Sequence, residues 1–315
     1  MWQWELCLAL FIRFITPLHA AYAEKSFFHK TERRRELMSF VRDKANSRIS
    51  ALKSLLCVGL DSDPEKIPRL FFKYESPVLE FNRAVIRATS DIAIAYKLNT
   101  AFYEARGISG LRDMENTLSS IPDACMTIAD AKRADIGNTS KMYAQAFFDH
   151  WSFDALTVAP YMGFDSLEPF LAYEDKLLFV LCLTSNEGSA DFEEQVMQCG
   201  TPLYRSVLGK VTSWSRNGNG GVVVGATKSW LLAEIRREAP DLFMLIPGVG
   251  AQGGSLEDAV NFGVDSNRQS AVINVSRTLI YPAASGGVPF SGIDDFERAV
   301  AVEALKIHDG MRHVL

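Results

Sequence analysis

Eight short apolar runs limit what this chain can become. They are LLCVGLD (55–61), AIAYKLN (93–99), MTIADAK (126–132), ALTVAP (155–160), LLFVLCLT (177–184), GVVVGA (221–226), LFMLIPGV (242–249) and AVINVSR (271–277). Each has strand length, and most are apolar on both faces, as in a sheet covered by helices. Helical spacing fills the gaps, for example in 76–91, 166–175, 228–241 and 255–263. Eight strands alternating with helices predict a single (β/α)8 TIM barrel, with a doubly wound open sheet as the structural alternative. The longest inter-strand stretch, 186–220, predicts a loop plus a helix. No linker, repeat or low-complexity tract divides the chain.

The barrel is expected to occupy 38–315. Residues 1–23 carry an apolar run and a small-residue end, but Glu5 precedes the run, Arg13 interrupts it, and no Lys or Arg comes first. The run is also too short and broken to span a membrane. Residues 1–37 therefore read as an extension outside the fold, and from Met38 an amphipathic helix leads into the first strand. Five cysteines without framework spacing, with Cys57 and Cys182 inside apolar runs and Cys125 just before one, predict buried thiols in a reducing, cytoplasmic setting. A net charge of −5 argues against general nucleic-acid binding. Five scattered His and no CxxC argue against a metal site.

A barrel carries its chemistry at the C-terminal strand ends. Those ends supply Asp61; Lys97 and Asn99; Asp130 and Lys132, with Asp135 just beyond; Thr184 and Ser185; Pro247; Ser276 and Arg277. Side chains two apart share a strand face, so Asp130 and Lys132 should point together, as should Lys97 and Asn99. Two Lys and two Asp in a dry pocket require an alternating network of Lys97, Asp130, Lys132 and Asp135. Such a network keeps Lys132 protonated and aims its ammonium at a carbon where negative charge develops. Schiff-base chemistry needs a neutral amine, which flanking carboxylates oppose. The Gly-rich loop IPGVGAQGGS (246–255), with Gln252, leads into a helix, and Arg277 ends the next strand; this combination suits a phosphate dianion. Asn138, Thr139 and Ser140 read as caps of a helix starting at Lys141.

The run Asp-Ala-Lys-Arg-Ala-Asp-Ile-Gly-Asn-Thr (130–139) resembles the Asp-x-Lys-x-x-Asp-Ile signature of the orotidine 5′-phosphate decarboxylases. The resemblance extends from about Leu55 through the C-terminal region. It includes Val58-Gly59-Leu60-Asp61, Lys97-Leu98-Asn99, Phe102-Tyr103-Glu104, Thr184-Ser185-Asn186, Pro247-Gly248 and Asn274-Val275-Ser276-Arg277. It is nearest to the longer bacterial-type and protozoan branch. Metal-dependent decarboxylases and synthases of sugar phosphates share the short signature, but generally place an acidic ligand where this chain has Lys97. A catalytically silent nucleotide-binding barrel is the third reading.

The resemblance implies decarboxylation of orotidine 5′-phosphate to UMP, the last step of de novo pyrimidine synthesis, with no metal or cofactor. Lys132 would protonate C6, Asp130 would press on the carboxylate, and Lys97 would bridge the network and the ribose. Asp61 and Asn99 would bind ribose hydroxyls. Thr184 and Ser185, beside Pro247, would meet the pyrimidine, while Gln252, Ser276 and Arg277 would hold phosphate. Asp135, Ile136 and Thr139 would reach the neighbouring site of a homodimer. Arg133 is expected to be structural or on the surface. Glu187 stands where this branch often has Pro.

Overall fold

A computed structural model describes residues 40–215, 217–250, 253–283 and 289–315. The eight apolar runs form β1 (Leu56–Gly59), β2 (Ala95–Asn99), β3 (Met126–Arg133), β4 (Ala155–Val158), β5 (Leu177–Leu183), β6 (Gly220–Val224), β7 (Phe243–Ile246) and β8 (Ala271–Val275). All pair in parallel, and β8 returns to β1, closing the barrel expected from the alternation. Five of the eight strands, β1, β4, β6, β7 and β8, are buried at every position, and β2, β3 and β5 are exposed only in part, which explains why they read as continuous rather than alternating runs.

The outer layer contains α1 (Phe40–Leu52), α2 (Pro77–Thr89), α3 (Ala101–Glu104), α4 (Gly107–Leu118), α5 (Gly137–Ala144), α6 (Phe164–Leu171), α7 (Leu203–Trp214), α8 (Ser229–Glu238), α9 (Leu256–Gly263), α10 (Arg277–Ile280) and α11 (Ile293–Arg312). Their starts follow local chemistry. Ser76 caps α2 by accepting from the Leu79 N–H, with Pro77 at the first helical position, and Ser255 caps α9 by accepting from the Asp258 N–H. The helix and loop expected in 186–220 are α7 and the segment before it.

The amphipathic helix read after Met38 is α1, which closes the N-terminal end of the barrel. It buries Val41, Ala45 and Ile49. Arg48 donates to the carbonyls of Ala93 and Ser90, Lys44 pairs with Asp154 at 3.0 Å, and Asn46 accepts from the Ser270 N–H. The expectation for residues 1–37 lies outside the described residues. Cys57, Cys125 and Cys182 are buried free thiols, as expected; burial pushes Cys57 up to about 12. Among the described residues no helix is long and apolar enough to cross a membrane.

Candidate active site

Three neighbouring strand ends bring four charges into a line. Lys97 Nζ lies 2.8 Å from Asp130 Oδ2 and 3.5 Å from Asp61 Oδ1, and Lys132 Nζ lies 2.6 Å from Asp130 Oδ1. The order is therefore Asp61, Lys97, Asp130, Lys132, with signs alternating. Lys97 is 4% exposed, so water is nearly absent around its ammonium. Burial alone would lower Lys97 and raise Asp130. The facing carboxylates outweigh this and hold Lys97 above its ordinary value, while the two ammonium groups hold Asp130 well below the usual carboxylate range. Charges buried this deeply persist only as partners. The expected alternating network is present, but within one chain its fourth member is Asp61 rather than Asp135.

Asp130 and Lys132 do converge, by a route that strand periodicity does not describe. Ala129 pairs with Leu156, and the next pairing joins Arg133 to Val158, so β3 spends four residues where β4 spends two. The excess is absorbed at Lys132, whose φ of 49° is left-handed. Its N–H donates to Thr157 Oγ1 at 3.0 Å, and the Thr157 hydroxyl donates to Asp130 Oδ1 at 2.9 Å. Thr157 was not among the expected site residues. A Thr inside a strand is ordinary, and only the pairing geometry reveals its use.

Beyond β3 the expected helix start needs correction. The helix begins at Gly137, with Ile136 as its extended N-cap residue, not at Lys141. The Ser140 side chain instead bridges back, accepting from the Asp135 N–H and donating to the Asp135 carbonyl. The loop is thus tied across five residues, so Asn138 and Thr139 sit inside the first helical turn. Asp135 is half-buried and Ile136 exposed, and neither they nor Thr139 line this chain's cavity.

That cavity, about 280 Å3, is lined by Asp61, Lys97, Asn99, Asp130, Lys132, Thr184, Ser185 and Pro247 from the expected set. Thr157, Leu181, Asn186, Val223, Leu245 and Asn274 complete it. The end of β5 is held by a residue sequence reasoning missed. Glu193 accepts from the Thr184 N–H at 2.6 Å and lies 3.0 Å from its hydroxyl. Glu193 lies in an irregular segment nine residues after Thr184, where nothing in the sequence marks it. Burial pushes its carboxyl up. Gly225, at the end of β6, leaves room for this turn: a Cβ there would lie 2.8 Å from the Ser185 backbone. Next door, Lys228 pairs with Glu194 and donates to Ser189.

The opposite wall is built differently. Gly248 and Gly250 have φ of 98° and 80°, and the Gly254 N–H donates to the Gly248 carbonyl, folding the loop after β7 back on itself. Ser276 precedes α10, and its buried Oγ has no hydrogen-bond partner among the described residues. Arg277 is exposed and has no ion-pair partner among them. Neither lines the cavity. Gln252 lies outside the described residues.

Arg133 is structural. It pairs with Glu104, donates to the Ala131 carbonyl, and lies over the rings of Tyr143 and Phe147 at 5.5 and 5.7 Å. Glu187 is exposed and opens a short 3-10 turn, Glu187–Asp191.

Such a cavity can hold a substrate anion against an oriented, protonated amine. Comparison with known proteins agrees. The family model described as orotidine 5′-phosphate decarboxylase / HUMPS family matches residues 54–285. An orotidine 5′-phosphate decarboxylase of Flavobacterium johnsoniae is 47% identical over 274 residues, covering 86% of this chain and 96% of that protein. The structure of Leishmania donovani OMP decarboxylase is similar at TM-score 0.73 and 34% identity, covering 87% of this chain and 99% of that one. Leishmania donovani UMP synthase is similar at TM-score 0.74 and 36% identity, but the chain, 86% of which is covered, spans only 56% of that chain. The chain belongs to the orotidine 5′-phosphate decarboxylase / HUMPS family.

Proposed function

We infer that the chain converts orotidine 5′-phosphate to UMP and CO2, the last step of de novo pyrimidine synthesis. The carrying observation is the Asp61, Lys97, Asp130, Lys132 series, which ends on an ammonium at the cavity. The four charges sum to zero, so a substrate carboxylate beside Asp130 adds like-charge stress that ends when CO2 leaves. The C6–carboxylate bond breaks, its electron pair stays on C6, and the Lys132 ammonium gives C6 a proton. The neutral amine regains its proton from solvent. The ion pair with Asp130 holds the Lys132 side chain at the cavity for that transfer.

The other roles are those that the family resemblance implies. Asp61 and Asn99 bind ribose hydroxyls, and Lys97 links the network to the ribose. Thr184 and Ser185 meet the pyrimidine beside Pro247. Ser276 and Arg277, with Gln252, grip the phosphate, and a grip on the phosphate rather than on the reacting ring suits remote binding energy used to close loops. The active unit is a homodimer in which Asp135, Ile136 and Thr139 complete the neighbouring site. Their position off this chain's own cavity supports that reading. The enzyme works in the cytoplasm, a setting favoured by four described cysteines that are all unpaired.

The test is the absorbance loss of orotidine 5′-phosphate, measured with wild type and Lys132→Ala. The variant should lose about 10³- to 10⁴-fold in kcat. An inactive wild type that still binds UMP would indicate a silent barrel, and inactivation by EDTA a metal-dependent relative. Mixing Lys132→Ala with Asp135→Asn chains should restore about a quarter of wild-type activity if sites are shared; no recovery would refute the shared site.

A further inference from the structure

Lys132 is tied to Asp130 at both of its ends. Its side-chain Nζ reaches Asp130 Oδ1 at 2.6 Å. Its main-chain N–H reaches the same oxygen indirectly, through Thr157 Oγ1 at 3.0 and then 2.9 Å. The result is a closed hydrogen-bonded ring of ammonium, carboxylate, hydroxyl and backbone. Thr157 sits in the middle of β4, 1% exposed, and lines the cavity. It faces the place where β3 carries two residues more than β4 and where Lys132 adopts φ 49°. A non-glycine residue in that region is strained by about 1 kcal/mol and stays there only when its surroundings hold it. The Thr157 oxygen is the acceptor that the turned N–H finds. Its hydroxyl proton is the third donor on Asp130, beside Lys97 on Oδ2 and Lys132 on Oδ1.

We propose that Thr157 is a positioning residue for the reaction inferred above, holding the strained Lys132 backbone and the Asp130 carboxylate in one arrangement. It does not touch the reacting carbon. Its hydroxyl decides where the Lys132 ammonium starts relative to Asp130, and hence how well the proton reaches its target. A displacement of that kind acts on the chemical step and leaves binding of a product without the carboxylate unchanged.

Thr157→Val keeps the shape and removes both hydrogen bonds. We expect kcat to fall about 10- to 100-fold, the range of a lost hydrogen bond to a charged group, with KM within about threefold of wild type. UMP affinity should be unchanged, and Thr157→Ser should recover to within about threefold of the wild-type kcat. If the valine variant does not fold, Thr157→Ala is read by the same criteria. Wild-type kcat in the valine or alanine variant overturns the proposal. So does a loss of UMP affinity matching the loss in kcat, or failure of serine to recover activity, because either marks a general distortion. A wild-type chain that does not decarboxylate orotidine 5′-phosphate overturns the assigned reaction itself, and this role with it.

Discussion

Both ends of the barrel bury a cation, and they hold it in opposite ways. At the N-terminal end Arg236, on α8, donates to the carbonyls of Gly263, Ala239, Pro240, Leu242 and Ser270. None of these bonds goes to a carboxylate. Carbonyl dipoles satisfy its N–H groups without cancelling its charge, and burial lowers it to about 10. At the C-terminal end Lys97 meets two carboxylates. Burial acts on it in the same direction, but Asp130 and Asp61 reverse the outcome. The first arrangement pins together the starts of β7 and β8 and the end of α9. The second holds charge that a substrate can disturb. Barrels separate stability and chemistry between their two ends in this way.

Lys97→Met should break the upper arrangement most severely. Asp61 and Asp130 would face each other without their shared cation, and kcat should fall by about 10³-fold or more, a general acid–base and electrostatic effect together. Urea unfolding of the same variant should show a loss of stability as well, because a removed partner leaves buried charge behind. Arg236→Met should produce the converse. Unfolding free energy should drop by about 3 kcal/mol, since several buried carbonyls lose their donor at once, while kcat of the folded fraction stays within about twofold. Equal damage to turnover in the two variants would show that the ends are not separate.

The smallest effect is one of pH. Asp130 is depressed in the folded state, so its stabilising contribution is complete above the unfolded carboxylate value of about 3.9 and fades as pH falls through the lower folded value. Lys97 is raised, so its contribution is complete below about 10.4 and fades only at higher pH. The stability gap between wild type and Asp130→Asn should therefore stay constant from about pH 5 to 9 and narrow below about pH 4. Urea titrations at each pH would show it. A gap that changes between pH 5 and 9 would mean that the pair titrates where these directions forbid it.

The barrel was legible because its strands are covered on both faces, so burial shows as unbroken runs such as Leu177–Leu183. Asp61, Lys97 and Asp130 were legible because strand order and strand ends bring them together, whereas Lys132, expected beside Asp130 from two-residue spacing, gets there through the register shift of β3 against β4. What escaped depends on geometry that residue types do not carry. Thr157 is chemically unremarkable until β3 and β4 fall out of register beside it. Glu193 acts across a turn from Thr184. Asn138 and Thr139 have the composition of helix caps, yet the link between Ser140 and Asp135 lets the helix start before them. Asp61, expected as a ribose ligand, also completes the charge series, because Lys97 extends far enough to reach it.

The two surplus residues of β3 have a consequence for how this barrel tolerates change. Between Ala129 and Arg133 the strand leaves and rejoins its partner at fixed points. The length of that detour, rather than the bulk of its side chains, sets which way Lys132 faces. Deleting or adding one residue there would turn the amine out of the cavity even if every other side chain were kept. A redesign can therefore vary residue identity across much of the molecule, but in this stretch it must preserve the count.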